Sequence, residues 1–177
     1  MTSTSQWWQH DTPVGVITVV ATSRGVNAIG FGERAPESIV GNAVQRRDRA
    51  MAREIDAWFR GTSQTFTVDI DLDEHLPPFA RRVLDALREE VPWGETVAYG
   101  ELAMIAGKPG AARAVGSTMA QNPIPFVIPC HRVIAAGHKI GGYGGTNNAA
   151  AHNLTIKRWL LSREGATFNA NGTALAT

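Results

Sequence analysis

Cysteine is nearly missing from this chain: Cys130 is the only one in 177 residues. No disulfide can form within the chain. One thiol with His10, His75, His131, His138 and His152 scattered apart also lacks the paired spacing of a zinc site. No structural metal is expected. Long apolar runs are missing as well. Hydrophobic residues make up 44% of the chain, yet nothing approaches the ~20 consecutive residues of a membrane-spanning helix. The opening MTSTSQWWQHDTPVG has neither a basic segment nor a continuous apolar one, so no secretory leader is expected. The expectation is a soluble cytoplasmic protein without a membrane partner. Excess charge is the third absence, since the net charge is +1. Its distribution is uneven. Residues 1–78 hold 7 Lys and Arg against 10 Asp and Glu, a balance of −3, whereas residues 79–177 hold 10 against 6, a balance of +4. An acidic half joined to a basic half is expected where one part faces phosphates.

What is present organises into an α+β fold. From Val14, two β-branched runs flank Ser23-Arg24-Gly25 and predict a hairpin. Residues 36–60 place Ile39, Ala43, Met51, Ile55, Trp58 and Phe59 near helical spacing, with Gly61 as the stop. TFTVDIDL alternates Phe66, Val68, Ile70 and Leu72 with polar neighbours, the period of a half-buried strand. The acidic, proline-ended DLDEHLPP reads as a boundary, because adjacent prolines stop a strand and suit the first turn of a helix. The expected domains are residues 1–75, residues 76–165 and a disordered tail, 166–177, on the ground of its small polar composition. The second domain is mostly helical. Phe79, Val83, Leu84 and Leu87 stripe a helix ending near Glu90. VAYGELAMIAG and AARAVGSTMAQN then predict two short helices around Lys108-Pro109-Gly110, a helix-turn-helix pattern. A glycine-rich loop, GHKIGGYGGTNN, precedes a last helix, LTIKRWLLSREG.

Cys130 stands in PFVIPCHRVI, where Pro123, Pro125 and Pro129 stiffen the approach. The polar run Cys130-His131-Arg132 interrupts apolar residues on both sides, which a packing cysteine does not need. Attack requires the thiolate, and a neighbouring histidine, cation or helix end favours it. His131 is adjacent in sequence, but neighbours on an extended chain point to opposite faces, so direct contact needs a turn or a bridging water.

IPCHRVI, with RAVG and NPIP before it and GGYGG and KRWLLSREG after it, resembles the O6-alkylguanine-DNA alkyltransferase family over about residues 79–165. The resemblance implies an RNase H-like first domain and a second domain with a winged helix-turn-helix. The implied activity is cofactor-free, irreversible transfer of an alkyl group from O6 of guanine to Cys130, with O4 of thymine as a further source. His131 matches the histidine that withdraws the thiol proton through a water, and Glu164 the glutamate that orients it, the logic of a hydrolase triad. Asn122 matches the asparagine that pins the turn before the cysteine. Tyr99 matches the tyrosine that meets the target phosphate and donates toward N3 of guanine. Tyr143 and Gly144 match the loop over the flipped base, Val133 the residue whose carbonyl reads the exocyclic amine, and Pro125 the wall beside the alkyl group. Arg113 matches an arginine that fills the space left by the flipped nucleotide, an exchange that offsets part of a few kcal/mol. Ala112, Ala114, Gly116 and Ser117 around it are small enough for close approach to a minor groove. The implied partner is double-stranded DNA carrying O6-alkylguanine, bound by a monomer, with cooperativity open and the protein on the nucleoid when bound.

Departures from the family pattern are visible. TNNAAAHN stands between GYGG and the last helix, an insertion of about seven residues that predicts a longer flap beside the alkyl group. Ala80 occupies a position where glutamine is frequent, and the zinc-binding cysteines of relatives that regulate transcription are missing. Three other readings remain. A DNA-binding module without chemistry is opposed by Cys130 itself. A cysteine hydrolase using Cys130, His131 and Glu164 would turn over repeatedly. A redox thiol lacks a resolving cysteine.

Overall fold

The computed structural model describes residues 5–32, 34–144 and 150–176, with only the backbone of Ala150. Two compact units divide at His75 and Leu76. In the first, strands β1 (Gln6–Thr12), β2 (Gly15–Thr22) and β3 (Gly25–Phe31) form an antiparallel meander. The order across the sheet is β3-β2-β1-β4, with the two-residue β4 (Val44–Gln45) parallel to β1. Hairpin β2–β3 turns where Ser23-Arg24-Gly25 predicts it. Strand β1 carries no alternating pattern that would predict it; it is held by its full-length register against β2.

The helix expected over residues 36–60 is two helices. α1 (Glu37–Val40) ends at Gly41, whose φ of 48° leaves the helical region, and α2 (Arg49–Arg60) restarts where Asp48 Oδ1 accepts from the amides of Ala50 and Met51. Met51, Ile55, Trp58 and Phe59 form its buried face, and Gly61 closes it in the left-handed conformation. The strand expected over TFTVDIDL is reduced to one parallel bridge, Val26 to Ile70. Its side chains do alternate as expected, but Glu54 of α2 accepts from the amides of Thr67 and Val68 at 2.7 and 3.2 Å, taking donors that a ladder would use.

The second unit opens with α3 (Pro78–Glu90), with Pro78 at its start and Val83, Leu84 and Leu87 buried. α4 (Tyr99–Ile105) and α5 (Ala112–Ala120) follow and pack with α3 through Leu102, Ala103, Val115 and Met119. Two dipeptide strands, β5 (Val97–Ala98) and β6 (Val133–Ile134), pair in parallel. β5 runs straight into α4 at Tyr99, and β6 leaves a 3-10 turn, Cys130–Arg132, so this short pair sets the start of α4 beside the cysteine.

α6 spans Ala150–Arg163, four residues earlier than the periodicity from Leu154 predicts. Residues 150–153 of the expected flap are therefore helix, consistent with the helix propensity of the Ala149–Ala151 run; residues 145–149 lie outside the described residues. The tail also departs from expectation. Residues 166–176 fold back on themselves, Ala176 N donating to Thr167 O and Asn169 N to Ala174 O at 2.9 and 3.0 Å. They also pair with residues 138–140, where Ile140 N donates to Thr173 O and Leu175 N to His138 O. Asn169 Oδ1 accepts from Thr173 N and Gly172 takes a φ of 65°, so the Asn-Ala-Asn-Gly turn that composition labels as disorder is the device that reverses the chain.

Candidate active site

The segment before Cys130 is folded tightly. Asn122 Oδ1 accepts from Ile124 N at 3.1 Å and its Nδ2 donates to Ile128 O at 2.9 Å, so one amide closes the turn from both ends. Phe126 is buried at a φ of 56°, a left-handed conformation costly for an aromatic residue and sustained by the packing around it. The chain is not extended at the thiol. The 3-10 turn over Cys130–Arg132 frees His131 from the opposite-face geometry that strict extension would impose.

Behind the thiol lies a buried charged cluster. His131 is fully buried, and its Nε2 donates to Glu164 Oε1 at 2.8 Å. Arg132, also buried, grips the same carboxylate in bidentate fashion, Nε to Oε2 and NH2 to Oε1, both at 2.9 Å; its NH1 donates to Val91 O at 2.6 Å. Burial acts to raise the Glu164 carboxyl, but the bonds from His131 and the charge of Arg132 outweigh it and hold the pKa at about 2. Glu164 is thus ionised at neutral pH. Burial pushes the His131 pKa down despite that carboxylate, so the ring is neutral, and with Nε2–H committed to Glu164 its lone pair sits on Nδ1.

Lys157 of α6 is fully buried too. Its Nζ donates to Val133 O at 2.6 Å and Gly142 O at 3.0 Å. Burial lowers its pKa to about 8, with the Cys130 thiolate opposing. Burial raises the Cys130 thiol, whereas Asn122, Lys157 and Tyr143 each favour the thiolate. Free in the resting protein, the sulfur is a neutral thiol ringed by groups ready to hold the anion.

That thiol lines a pocket of about 120 Å³ with Tyr99, Gly116, Met119, Gly142, Tyr143 and Gly144. Burial and the Cys130 thiolate raise the phenol of Tyr99, and burial raises Tyr143 strongly, so both are protonated donors at neutral pH. Gly141 is packed against the Tyr99 ring, an approach within 3.4 Å of where a Cβ would sit. The structure therefore brings Cys130, Tyr99, Tyr143, Gly144 and Gly116 to one pocket, with Asn122, Lys157 and Tyr143 favouring the thiolate and His131, next in the chain to the thiol, paired with Glu164. Val133 and Pro125 are buried and do not line it, the Val133 carbonyl being engaged by Lys157. Arg113, Ala114 and Ser117 are exposed on α5, and Ala112 is partly so. Sequence reasoning missed Arg132 and Lys157; the only signal was a charge set inside an apolar stretch in CHRVI and IKRWLL.

An α+β protein whose only thiol stands at a pocket, backed by a buried histidine–carboxylate pair, falls in the class of cysteine-nucleophile proteins. Residues 78–166 match the model of the 6-O-methylguanine DNA methyltransferase DNA-binding domain. Methylated-DNA–protein-cysteine methyltransferases of Methanosarcina acetivorans and Mycolicibacterium paratuberculosis are 37% and 42% identical, over 88% and 84% of this chain and 96% and 89% of theirs. The Mycobacterium tuberculosis OGT crystallised in complex with DNA superimposes with a TM-score of 0.78 at 34% identity, covering 90% of this chain and 93% of that one. The chain belongs to the 6-O-methylguanine DNA methyltransferase family. Among the described residues no helix is long and apolar enough to cross a membrane.

Proposed function

We propose that this protein is a methylated-DNA–[protein]-cysteine S-methyltransferase, repairing DNA by moving the alkyl group of O6-alkylguanine onto Cys130 once per chain. The observation that carries this reading is the placement of Cys130 in a pocket between Tyr99 and Tyr143, with neutral His131 and ionised Glu164 beside it. The neutral imidazole takes the thiol proton through a bridging water, and Glu164 stabilises the imidazolium that forms. Asn122 and Lys157 then favour the thiolate. Sulfur attacks the alkyl carbon; the S–C bond forms as the C–O6 bond breaks, and the purine leaves with that electron pair. Tyr99 donates its phenolic proton toward N3, so the base departs neutral, and the proton held by His131 returns through solvent to the phenolate. Cys130 ends as a thioether with no route back to a thiol.

The fold supports the finer assignments. The β3-β2-β1-β4 sheet with α2 is assigned as an RNase H-like unit, and the second unit as a winged helix-turn-helix with α5 as the inserted helix. The exposed face of α5, with Arg113 among Ala112, Ala114, Gly116 and Ser117, suits close approach to a minor groove and insertion of a planar cation where a nucleotide is flipped out. Tyr143 and Gly144 wall the flipped base, and Lys157 ties the Gly142 carbonyl of that wall to the Val133 carbonyl after the cysteine turn. Duplex DNA is the partner, the protein acts as a monomer, and its place is the cytoplasm.

Mass spectrometry after incubation with an O6-methylguanine duplex tests the reading. One methylene added at Cys130 in each chain, with equimolar loss of the lesion, is expected. Lesion removal in excess of protein, or an unmodified Cys130, refutes it.

A further inference from the structure

Two side chains on one face of α6 hold successive carbonyls of the loop that walls the Cys130 pocket. Asn153 and Lys157 are four residues apart, so they project from the same side of the helix. Lys157 Nζ donates to Gly142 O at 3.0 Å, and Asn153 Nδ2 donates to Tyr143 O at 3.2 Å. Gly142, Tyr143 and Gly144 all line the pocket. The fit is close on the Asn153 side: a Cβ on Gly144 would lie 2.8 Å from Asn153 Nδ2, and Gly144 has a φ of 68°. The two grips are not equivalent. Lys157 is fully buried and tied also to Val133, next to the cysteine turn, whereas Asn153 is half-buried and belongs to the early turn of α6 built by the inserted stretch.

We infer that Asn153 is a positioning residue that fixes the Tyr143–Gly144 wall relative to Cys130 and so sets the size of the alkyl group the pocket admits. The wall borders a cavity of about 120 Å³ beside Cys130, so the space for the transferred group depends on where that wall stands. Lys157 anchors the inner end of that wall. Asn153 holds the outer end, where yielding admits bulk. A methyl adduct asks little movement of the wall, and a benzyl adduct asks much.

This inference rests on the alkyl-transfer reading, and the experiment separates the two. Second-order rate constants are measured for O6-methylguanine and O6-benzylguanine in the same duplex, per titratable Cys130 thiol, for the wild type and for Asn153→Ala and Asn153→Asp. In both variants the benzyl-to-methyl ratio is expected to rise roughly threefold to tenfold, the range that the net contribution of one hydrogen bond converts to. Asn153→Asp keeps the shape and removes the donor, so a wild-type ratio in that variant overturns the assignment of the hydrogen bond. A ratio unchanged in Asn153→Ala, or both rates falling by one common factor, overturns the positioning role. A wild type that accepts neither group overturns the alkyl-transfer reading itself.

Discussion

Replacing Glu164 by glutamine keeps the volume and removes the charge at the centre of the buried cluster. The carboxyl titrates at about 2 in the folded protein against an ordinary 4.5. At ~1.36 kcal/mol for each pH unit of that gap, the charged form is favoured by about 3 kcal/mol. A second route gives a similar figure: Glu164→Gln leaves Arg132 buried without its counter-charge, and breaking a buried pair on one side costs roughly 3–5 kcal/mol. For a unit of about 100 residues the urea dependence is ~1–3 kcal/mol per molar, so the midpoint should fall by roughly 1–3 M at pH 7. Because the folded pKa is depressed, the stabilisation is complete above about 4.5 and is lost as pH falls toward 2. By pH 3.5 the wild type should have surrendered roughly 1 kcal/mol of it, narrowing its lead over Glu164→Gln. The second unit holds α3, α4, α5 and α6, so loss of far-UV helical circular dichroism across a urea series chiefly reports its unfolding. The same variant should transfer methyl groups at least ~100-fold more slowly at neutral pH, the lower end of what a positioned base contributes. Equal midpoints at pH 7, or a gap between the two proteins that stays constant from pH 7 to 3.5, would refute the argument from the charged cluster.

Three other outcomes are expected. Cys130→Ser should abolish transfer while a band-shift assay shows unaltered affinity for the duplex; residual transfer would mean a second acceptor. Arg113→Ala should slow repair of duplex O6-methylguanine roughly 10-fold or more while leaving reaction with free O6-benzylguanine within about twofold, because a residue that replaces a flipped nucleotide has nothing to do without a helix; equal losses on both substrates would count against that role. Leu102→Ala, at a fully buried position of α4, should cost about 2–5 kcal/mol in urea unfolding of the second unit, and a loss below ~1 kcal/mol would show that the α3–α4–α5 core tolerates the cavity.

The helical repeats and the loop chemistry were readable along the chain. α3, the α4–α5 pair and the Gly61 stop obey local rules of spacing and capping. The break at Gly41 was harder to see, because apolar residues on both sides keep a helical period while the glycine and the Asp48 cap divide it. The 65–72 segment shows the opposite error. Its period is that of a strand, but a glutamate from α2 removes two of its donors, and no pattern within the segment announces that. The tail was misjudged on composition, since small polar residues can also build a turn whose backbone finds a partner strand.

By itself the sequence determined the lone thiol and its rigid, polar-interrupted setting, the β2–β3 hairpin, α3 and the α4–α5 helix pair, all of which follow from residue type and short-range periodicity. Only the tertiary structure decided which charges answer one another. His131 and Arg132 meet Glu164 more than thirty residues away, and Lys157 crosses from α6 to the Val133 and Gly142 carbonyls. Such groups are tolerable in the interior only when fully partnered, and partnership at that separation is a property of the folded chain, because no local pattern encodes the distance between two buried side chains.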